Sequence, residues 1–302
     1  MNEPLTRARA VLDELLQQLE LAGAPRELVE TQCLPIARVI CERAQQRRVT
    51  VGIAGAQGTG KTTLATLVHV ILSEGFGLRS VVVSLDDYYL PRAVRQTLAR
   101  DVHPLLVTRG VPGTHDVQAL QAALRRLRTS EAVELWQFSK ALDDRLPETR
   151  TVEGPFDVVL FEGWCVGARP CSEAELSKPI NALEREEDRE RHFRRYVNAQ
   201  LAGPYTALWA EVDMLVYIAA PDLRAVHEFR SEQERRLRLS APGSPGLMDD
   251  AQLLRFIQHF ERITRSMLRD TPDYADVVVR VDADRRTLAL EIPVQNTIDR
   301  NG

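Results

Sequence analysis

The residues best suited to chemistry lie between Val49 and Leu67, VTVGIAGAQGTGKTTLATL. Gly55, Ala56, Gln57, Gly58, Thr59, Gly60, Lys61 and Thr62 make the pattern G-x-x-x-x-G-K-T, and Thr63 follows it. The β-branched run Val49, Val51, Ile53 predicts a strand before the pattern. Leu64, Leu67, Val68, Ile71 and Leu72 predict the apolar face of a helix after it. A glycine-rich turn in that context cradles phosphate. Glycine admits backbone conformations closed to residues with a Cβ. Successive N–H groups can then converge on an anion at the positive end of the new helix. Lys61 would reach the β- and γ-phosphates, and the Thr62 hydroxyl would be a magnesium ligand. The chain is predicted to bind a nucleoside triphosphate.

Two further groups of acids lie where a parallel sheet presents its ligands, at the carboxyl ends of strands. Glu162 closes the apolar run Val158 to Phe161 and could hold magnesium with Thr62. Asp86 and Asp87 end the run Ser80 to Leu85, one βα unit beyond the glycine loop. A carboxylate there can accept a proton from a hydroxyl that attacks the terminal phosphate. The same pair could instead cap a turn, and Tyr88 and Tyr89 behind it could be packing. Arg224, Arg230, Arg235, Arg236 and Arg238 crowd one helix, Asp222 to Leu239, ahead of the break APGSPG at Ala241 to Gly246. Arginines so placed could close over a triphosphate and stabilise charge on the migrating phosphoryl.

Several functions are excluded. No N-K-x-D element reads guanine, D-x-x-G occurs only at Asp299 to Gly302, and no LSGGQ-like run points to a transporter ATPase. In 302 residues, 39 Lys+Arg against 43 Asp+Glu leave a net charge of -4, with no pull toward nucleic acid or anionic membrane. Cys33, Cys41, Cys165 and Cys171 show neither C-x-x-C nor zinc spacing, which implies free thiols in a reducing compartment. With no signal-like or membrane-length apolar run, the chain is read as cytoplasmic. Oligomeric state is not legible, and a monomer is compatible with the sequence.

The elements that must position these residues follow from periodicity. Helices are predicted over residues 5 to 21 and from Arg26 to Gln46, the second disturbed by Pro35. Strands are predicted at Val49–Ala54, Ser80–Leu85, Val133–Phe138, Asp157–Gly163, Val212–Ala219, Val277–Val281 and Thr287–Ile292. Helices are predicted from Asp116, as N-cap, to Arg128, from Asn181 to Gln200 with a solvated charged face, and from Met248 to Leu268. Leu90 to His115 reads as a long binding loop or lid. The alternation predicts an α/β fold, a parallel sheet with helices on both faces. Residues 1–48 form a helical extension and residues 49–302 the nucleotide-binding domain.

The segments GAQGTGKTT, SLDDYYL, HPLLVTRGVPGTHD, FSKALDDR, VVLFEGW and FRSEQERRLR together resemble the D-glycerate 3-kinase family. That family is related to the uridine kinase, pantothenate kinase and phosphoribulokinase group. The resemblance covers roughly Val49 to Asp284 and implies a P-loop NTPase-type fold. It also implies transfer of the ATP γ-phosphoryl, with Mg2+, to D-glycerate, giving 3-phosphoglycerate. It favours Asp86 over Asp87 as base and places Arg109, His115 and Asp116 in the R-G-x-x-G-[ST]-H-D element. Tyr89 belongs to the same acceptor region. Lys140 falls at a D-K-S position, with Ser139 and Ala141 replacing the flanking residues. Arg230 and Arg238 match basic lid positions, whereas Arg235 and Arg236 do not. A small anionic acceptor needs cations beyond Lys61, and the planar fork of Arg109 suits a carboxylate. Another hydroxyl acceptor (uridine, pantothenate or a sugar phosphate) or a slow nucleotide-gated ATPase are the alternatives.

Overall fold

The computed structural model describes residues 3–19, 25–240 and 248–292. The APGSPG break lies outside them. Among the described residues ten strands run β1 (Val49–Gly55), β2 (Ser80–Ser84), β3 (Ala132–Leu135), β4 (Phe138–Ser139) and β5 (Asp144–Arg145), then β6 (Arg150–Glu153), β7 (Val158–Gly163), β8 (Met214–Ala219), β9 (Val277–Val281) and β10 (Thr287–Glu291). Six of them form one sheet in the order β10-β9-β8-β1-β7-β2, and two small two-stranded sheets pair β3 with β6 and β4 with β5. All pairings in the large sheet are parallel except that of the edge strand β10 with β9. β1, β7 and β8 are buried throughout, as continuous apolar strands covered on both faces must be.

Register sets the site. β1 lies between β7 and β8, so the loop leaving Gly55 emerges beside the ends of both. Glu162 stands opposite Ile53 on one side and Ser84 on the other. One apolar layer, against the phosphate-loop helix Lys61–Val70, joins Ala8, Leu12, Ile36 and Ile40 of the N-terminal helices to Val49, Val51, Ile53, Leu64 and Val68. The segment before β1 thus shares its core with the helix that follows the loop. Its second helix is interrupted by a π turn, Val29–Cys33, and resumes as Leu34–Ala44 with Pro35 in its first turn. Pro35 is tolerated there because it has no N–H to leave unpaired. Among the described residues, no helix is long and apolar enough to cross a membrane.

Three expectations are corrected. Leu90 to His115 is not structureless: it contains the helix Arg92–Asp101 and a 3-10 turn, Pro104–Val107. This helix escapes periodicity because its buried residue is Arg95, 1% exposed, where a leucine would signal a core face. The charged run Asn181 to Gln200 is two helices, Ala182–Glu186 and His192–Gln200. Between them the buried Asp188 accepts from the N–H groups of Phe193 and Arg194 and pairs with the Arg194 guanidinium at 2.8 Å. Several of its charges are therefore structural and not a solvated face. Met248 to Leu268 likewise divides into Asp250–Gln258 and Glu261–Asp270, where Phe260 turns inward onto the Trp164 ring.

Candidate active site

The loop Gly55–Thr62 joins β1 to the helix Lys61–Val70. Gly58 has φ +77°, and a Cβ there would lie 2.8 Å from Phe229 Cβ, so both backbone conformation and space demand glycine. Phe229 belongs to the helix Leu223–Ser240, which packs on the loop through Phe229, Val226 and Ala225 around Ala56. Lys61 Nζ donates to Ala56 O at 3.0 Å. Burial pushes the Lys61 ammonium below its ordinary value, against the pull of Glu162 and Asp86, so all three groups share one field.

At the strand ends the Thr62 hydroxyl donates to Glu162 Oε1 at 3.1 Å, and the Ser84 hydroxyl donates to the same oxygen at 2.9 Å. Two hydroxyls and a carboxylate converging at the start of a phosphate-loop helix are hard oxygen donors of the kind that suit Mg2+. Among the described residues, no group of three or more His, Cys, Asp or Glu is placed to hold a metal.

The next layer is built on Asp86. The Ser84 side chain accepts from the Asp86 N–H and caps the 3-10 turn Leu85–Tyr88, which turns the Asp86 carboxylate out of the strand. Tyr89 donates its hydroxyl to Asp86 Oδ1, and Lys140 Nζ pairs with Oδ2 at 2.7 Å. Burial pushes the Asp86 carboxyl up, but the Lys140 ammonium and the Tyr89 hydroxyl outweigh it and leave the group at about 2. Asp87 points elsewhere and accepts from Phe138 N at 3.4 Å. Of the two acids, Asp86 is the one whose charge reaches Lys61.

His115 and Asp116 come to the same place through a backbone bridge between Tyr89 and His115, whose rings lie 4.9 Å apart. Asp116 caps the helix Val117–Leu127 and pairs with Arg145 at 3.2 Å; Arg145 also donates to Tyr89 O. Arg109 is bonded to Asp143 and lies over the Phe138 ring, 5.6 Å from its centre. Gly113, at φ +97°, lets this loop pass Tyr196, where a Cβ would come within 2.5 Å of the ring. Asp86, Tyr89, Arg109, His115, Asp116 and Lys140 are thus gathered around the short β4–β5 hairpin.

Arg224, Arg230, Arg236 and Arg238 of Leu223–Ser240 have acidic partners of their own. Arg230 pairs with the buried Glu234 at 3.0 Å and stacks on Phe256. Arg238 donates to Met248 O and pairs with Asp250 at 3.0 Å. One arginine that does reach the loop was invisible to spacing arguments. Arg285, in the β9–β10 turn, donates to Gly58 O at 2.8 Å, pairs with Glu232 at 2.7 Å and stacks on Phe229. Nothing in its surroundings, DADRRT, marks it.

This geometry sets the glycine-rich loop beside the Asp86 carboxylate, and known proteins share the chain that builds it. An uncharacterised kinase of Schizosaccharomyces pombe, mug58, is 30% identical over 230 residues, covering 72% of this chain and 80% of that protein. The chain belongs to the D-glycerate 3-kinase family of P-loop kinases. The chloroplastic D-glycerate 3-kinase of Arabidopsis thaliana is 29% identical over 258 residues, 81% of this chain but only 52% of the plant protein. The chain thus spans about half the length of that relative. The D-glycerate 3-kinase structure from Cryptococcus neoformans var. grubii superposes with a TM-score of 0.72 at 27% identity, over 86% of this chain and 98% of that one. No family model matches the chain. This member of the family is an ATP-dependent P-loop kinase.

The Asp86–Lys140 pair gives the kinase a testable pH dependence. A carboxylate held at about 2 stays ionised throughout the working range, so Asp86 should produce no acidic limb in kcat/KM between pH 5 and 8. In Lys140→Met the depressing charge is gone, and the Asp86 pKa rises toward or beyond its ordinary value near about 4. Activity of that variant should therefore fall earlier on the acid side. A pH profile of kcat/KM for both proteins checks this, and identical acid limbs would separate Lys140 from the ionisation of Asp86.

Proposed function

We propose that the protein phosphorylates D-glycerate to 3-phosphoglycerate, with Asp86 as general base. The observation that carries this reading is the convergence of Asp86 with Arg109, Lys140 and His115 on the acceptor side of the phosphate loop. An ionised base beside two cations and a neutral donor suits a small acid bearing hydroxyls. The 27–29% identity with named glycerate kinases supports the same substrate.

In this reading the backbone N–H groups of Gly55–Thr63 wrap the phosphates and Lys61 reaches the β- and γ-oxygens. Thr62 and Glu162, supported by Ser84, hold Mg2+, which neutralises phosphate charge when bound. Lys140 leaves Asp86 for the acceptor carboxylate, and Arg109 joins it with a planar fork. The acceptor oxygen then forms a bond to the γ-phosphorus as the bond to the β–γ bridging oxygen breaks and ADP departs. The hydroxyl proton passes to Asp86. Arg230 and Arg238 approach the phosphates only by exchanging their acidic partners, and we assign them to closure of the lid helix.

A thermal-shift titration tests the acceptor. D-glycerate added with a non-hydrolysable ATP analogue should raise Tm beyond the nucleotide alone, because a ligand stabilises the state it binds. Turnover with D-glycerate should exceed that with uridine, pantothenate or ribulose 5-phosphate. No shift and no turnover with glycerate, beside turnover of another acceptor, would remove the substrate and leave the kinase.

A further inference from the structure

The proposed reaction leaves open which nitrogen of His115 faces the acceptor. His115 is buried, and its Nε2 is sealed from solvent without a hydrogen-bond partner. Its other nitrogen, Nδ1, lies 2.5 Å from the hydroxyl of Tyr205, a side chain with no exposure at all. Tyr205 ends the π turn Leu201–Tyr205, where Pro204 interrupts the regular ladder, and the same hydroxyl accepts from the Gly113 N–H at 3.1 Å.

The count of protons decides the tautomer. If Nδ1 carried the hydrogen, it would donate to the Tyr205 oxygen. The Tyr205 hydrogen would then have no acceptor, and a bare Nε2 would be unpaired as well. If Tyr205 donates to Nδ1, its oxygen still accepts from Gly113, and only Nε2–H is left over. Each buried unpaired polar group carries a desolvation penalty, so the arrangement with one orphan is favoured over the arrangement with two. Burial also pushes the His115 imidazole down to about 4, so the ring is neutral near pH 7 and one tautomer must be chosen.

We infer that Tyr205 is a positioning residue that holds His115 as its Nε2–H tautomer, and that this N–H donates to the hydroxyl of the acceptor that does not react. The inference rests on the glycerate reading for the identity of that hydroxyl. His115 stacks beside Tyr89, whose own hydroxyl bonds the Asp86 carboxylate. A neutral donor next to that acid suits a neutral hydroxyl. A neutral imidazole offers a carboxylate no opposite charge, whereas Arg109 and Lys140 do. A buried donor left unpaired until substrate arrives also discriminates, since an acceptor lacking the hydroxyl leaves the penalty in place.

Nitrogen-15 NMR of the ring in the intact protein reads the tautomer directly, and 3-hydroxypropionate, which lacks only the second hydroxyl, reads its use. The wild type should show a protonated Nε2 and a bare Nδ1, and should favour D-glycerate over 3-hydroxypropionate in kcat/KM by about 10²-fold or more. Tyr205→Phe should mix the tautomers and reduce that preference while ATP affinity is unchanged. His115→Gln, whose amide can reach the Nε2 position, should keep more of the preference than His115→Asn, whose amide cannot. A protonated Nδ1 in the wild type would overturn the positioning role and the donation from Nε2 together. Equal preference in His115→Asn and wild type would overturn the hydroxyl contact. Turnover of neither acid by the wild type would sink the glycerate reading and the hydroxyl contact with it.

Discussion

Asp86→Asn should lower turnover by about 10²–10⁴-fold while ATP still binds. The substitution keeps the shape of the side chain. Its Oδ1 can still accept from Tyr89, and the Ser84 cap on the preceding turn involves only the Asp86 N–H. What disappears is the negative charge that balances Lys61 and Lys140 and is proposed to receive the acceptor's proton. The loss should therefore fall on kcat, measured by coupling ADP release to a chromogenic reaction. Nucleotide affinity, measured separately by calorimetry, should move little. Near-normal kcat would transfer the proton to another group and remove Asp86 from the reaction. Asp87→Asn is the matched control: that carboxylate bonds Phe138 N on the other side of the turn and should affect turnover far less.

The second large effect concerns Arg95. Its side chain is 1% exposed and spans three segments, donating to Leu90 O at 3.1 Å, Val107 O at 2.7 Å and Asp143 O at 2.6 Å. It also pairs with the Asp143 carboxylate at 3.0 Å, the same carboxylate that holds Arg109. Arg95→Met fills most of the space with an apolar chain but leaves three carbonyls and part of a carboxylate without donors. Asp143 is a third exposed, so water recovers some of the loss. A destabilisation of about 3 kcal/mol is expected in urea unfolding. The acceptor KM should also rise, because the residues proposed to bind glycerate hang on this guanidinium through the β4–β5 hairpin. ATP affinity should hold, since the phosphate loop is built from β1 and its own helix. A variant within 1 kcal/mol of wild type would show that the helix Arg92–Asp101 and the hairpin are held by other contacts.

These two residues also mark the limits of sequence reasoning. The phosphate loop was legible because its chemistry is local: strand, glycines, lysine, threonine and helix succeed one another within Val49–Val70. Glu162 and the Asp86-Asp87 pair were legible because one ends an apolar strand and the other follows one, and parallel strands deliver their last residues to one edge. The structure adds that register puts Glu162 opposite Ser84, so a serine with no motif of its own becomes the second hydroxyl on that carboxylate. The Arg109–Asp116 segment read as a loop from its residues and stood out only through the family resemblance, and what holds it was not legible at all.

By itself the sequence determined the α/β alternation, the glycine-rich loop, Glu162 and the Asp86-Asp87 pair, since each depends on residues adjacent in the chain or on strand periodicity. Only the tertiary structure decided which arginines serve the site and how its histidine is oriented. Arg95 meets Asp143 across 48 positions, Tyr205 meets His115 across 90, and Arg285 meets Gly58 across 227. A guanidinium or a phenol has the same composition on a surface as in a core, so no local pattern distinguishes the two. Its partner does, and the partner is chosen by how distant segments pack.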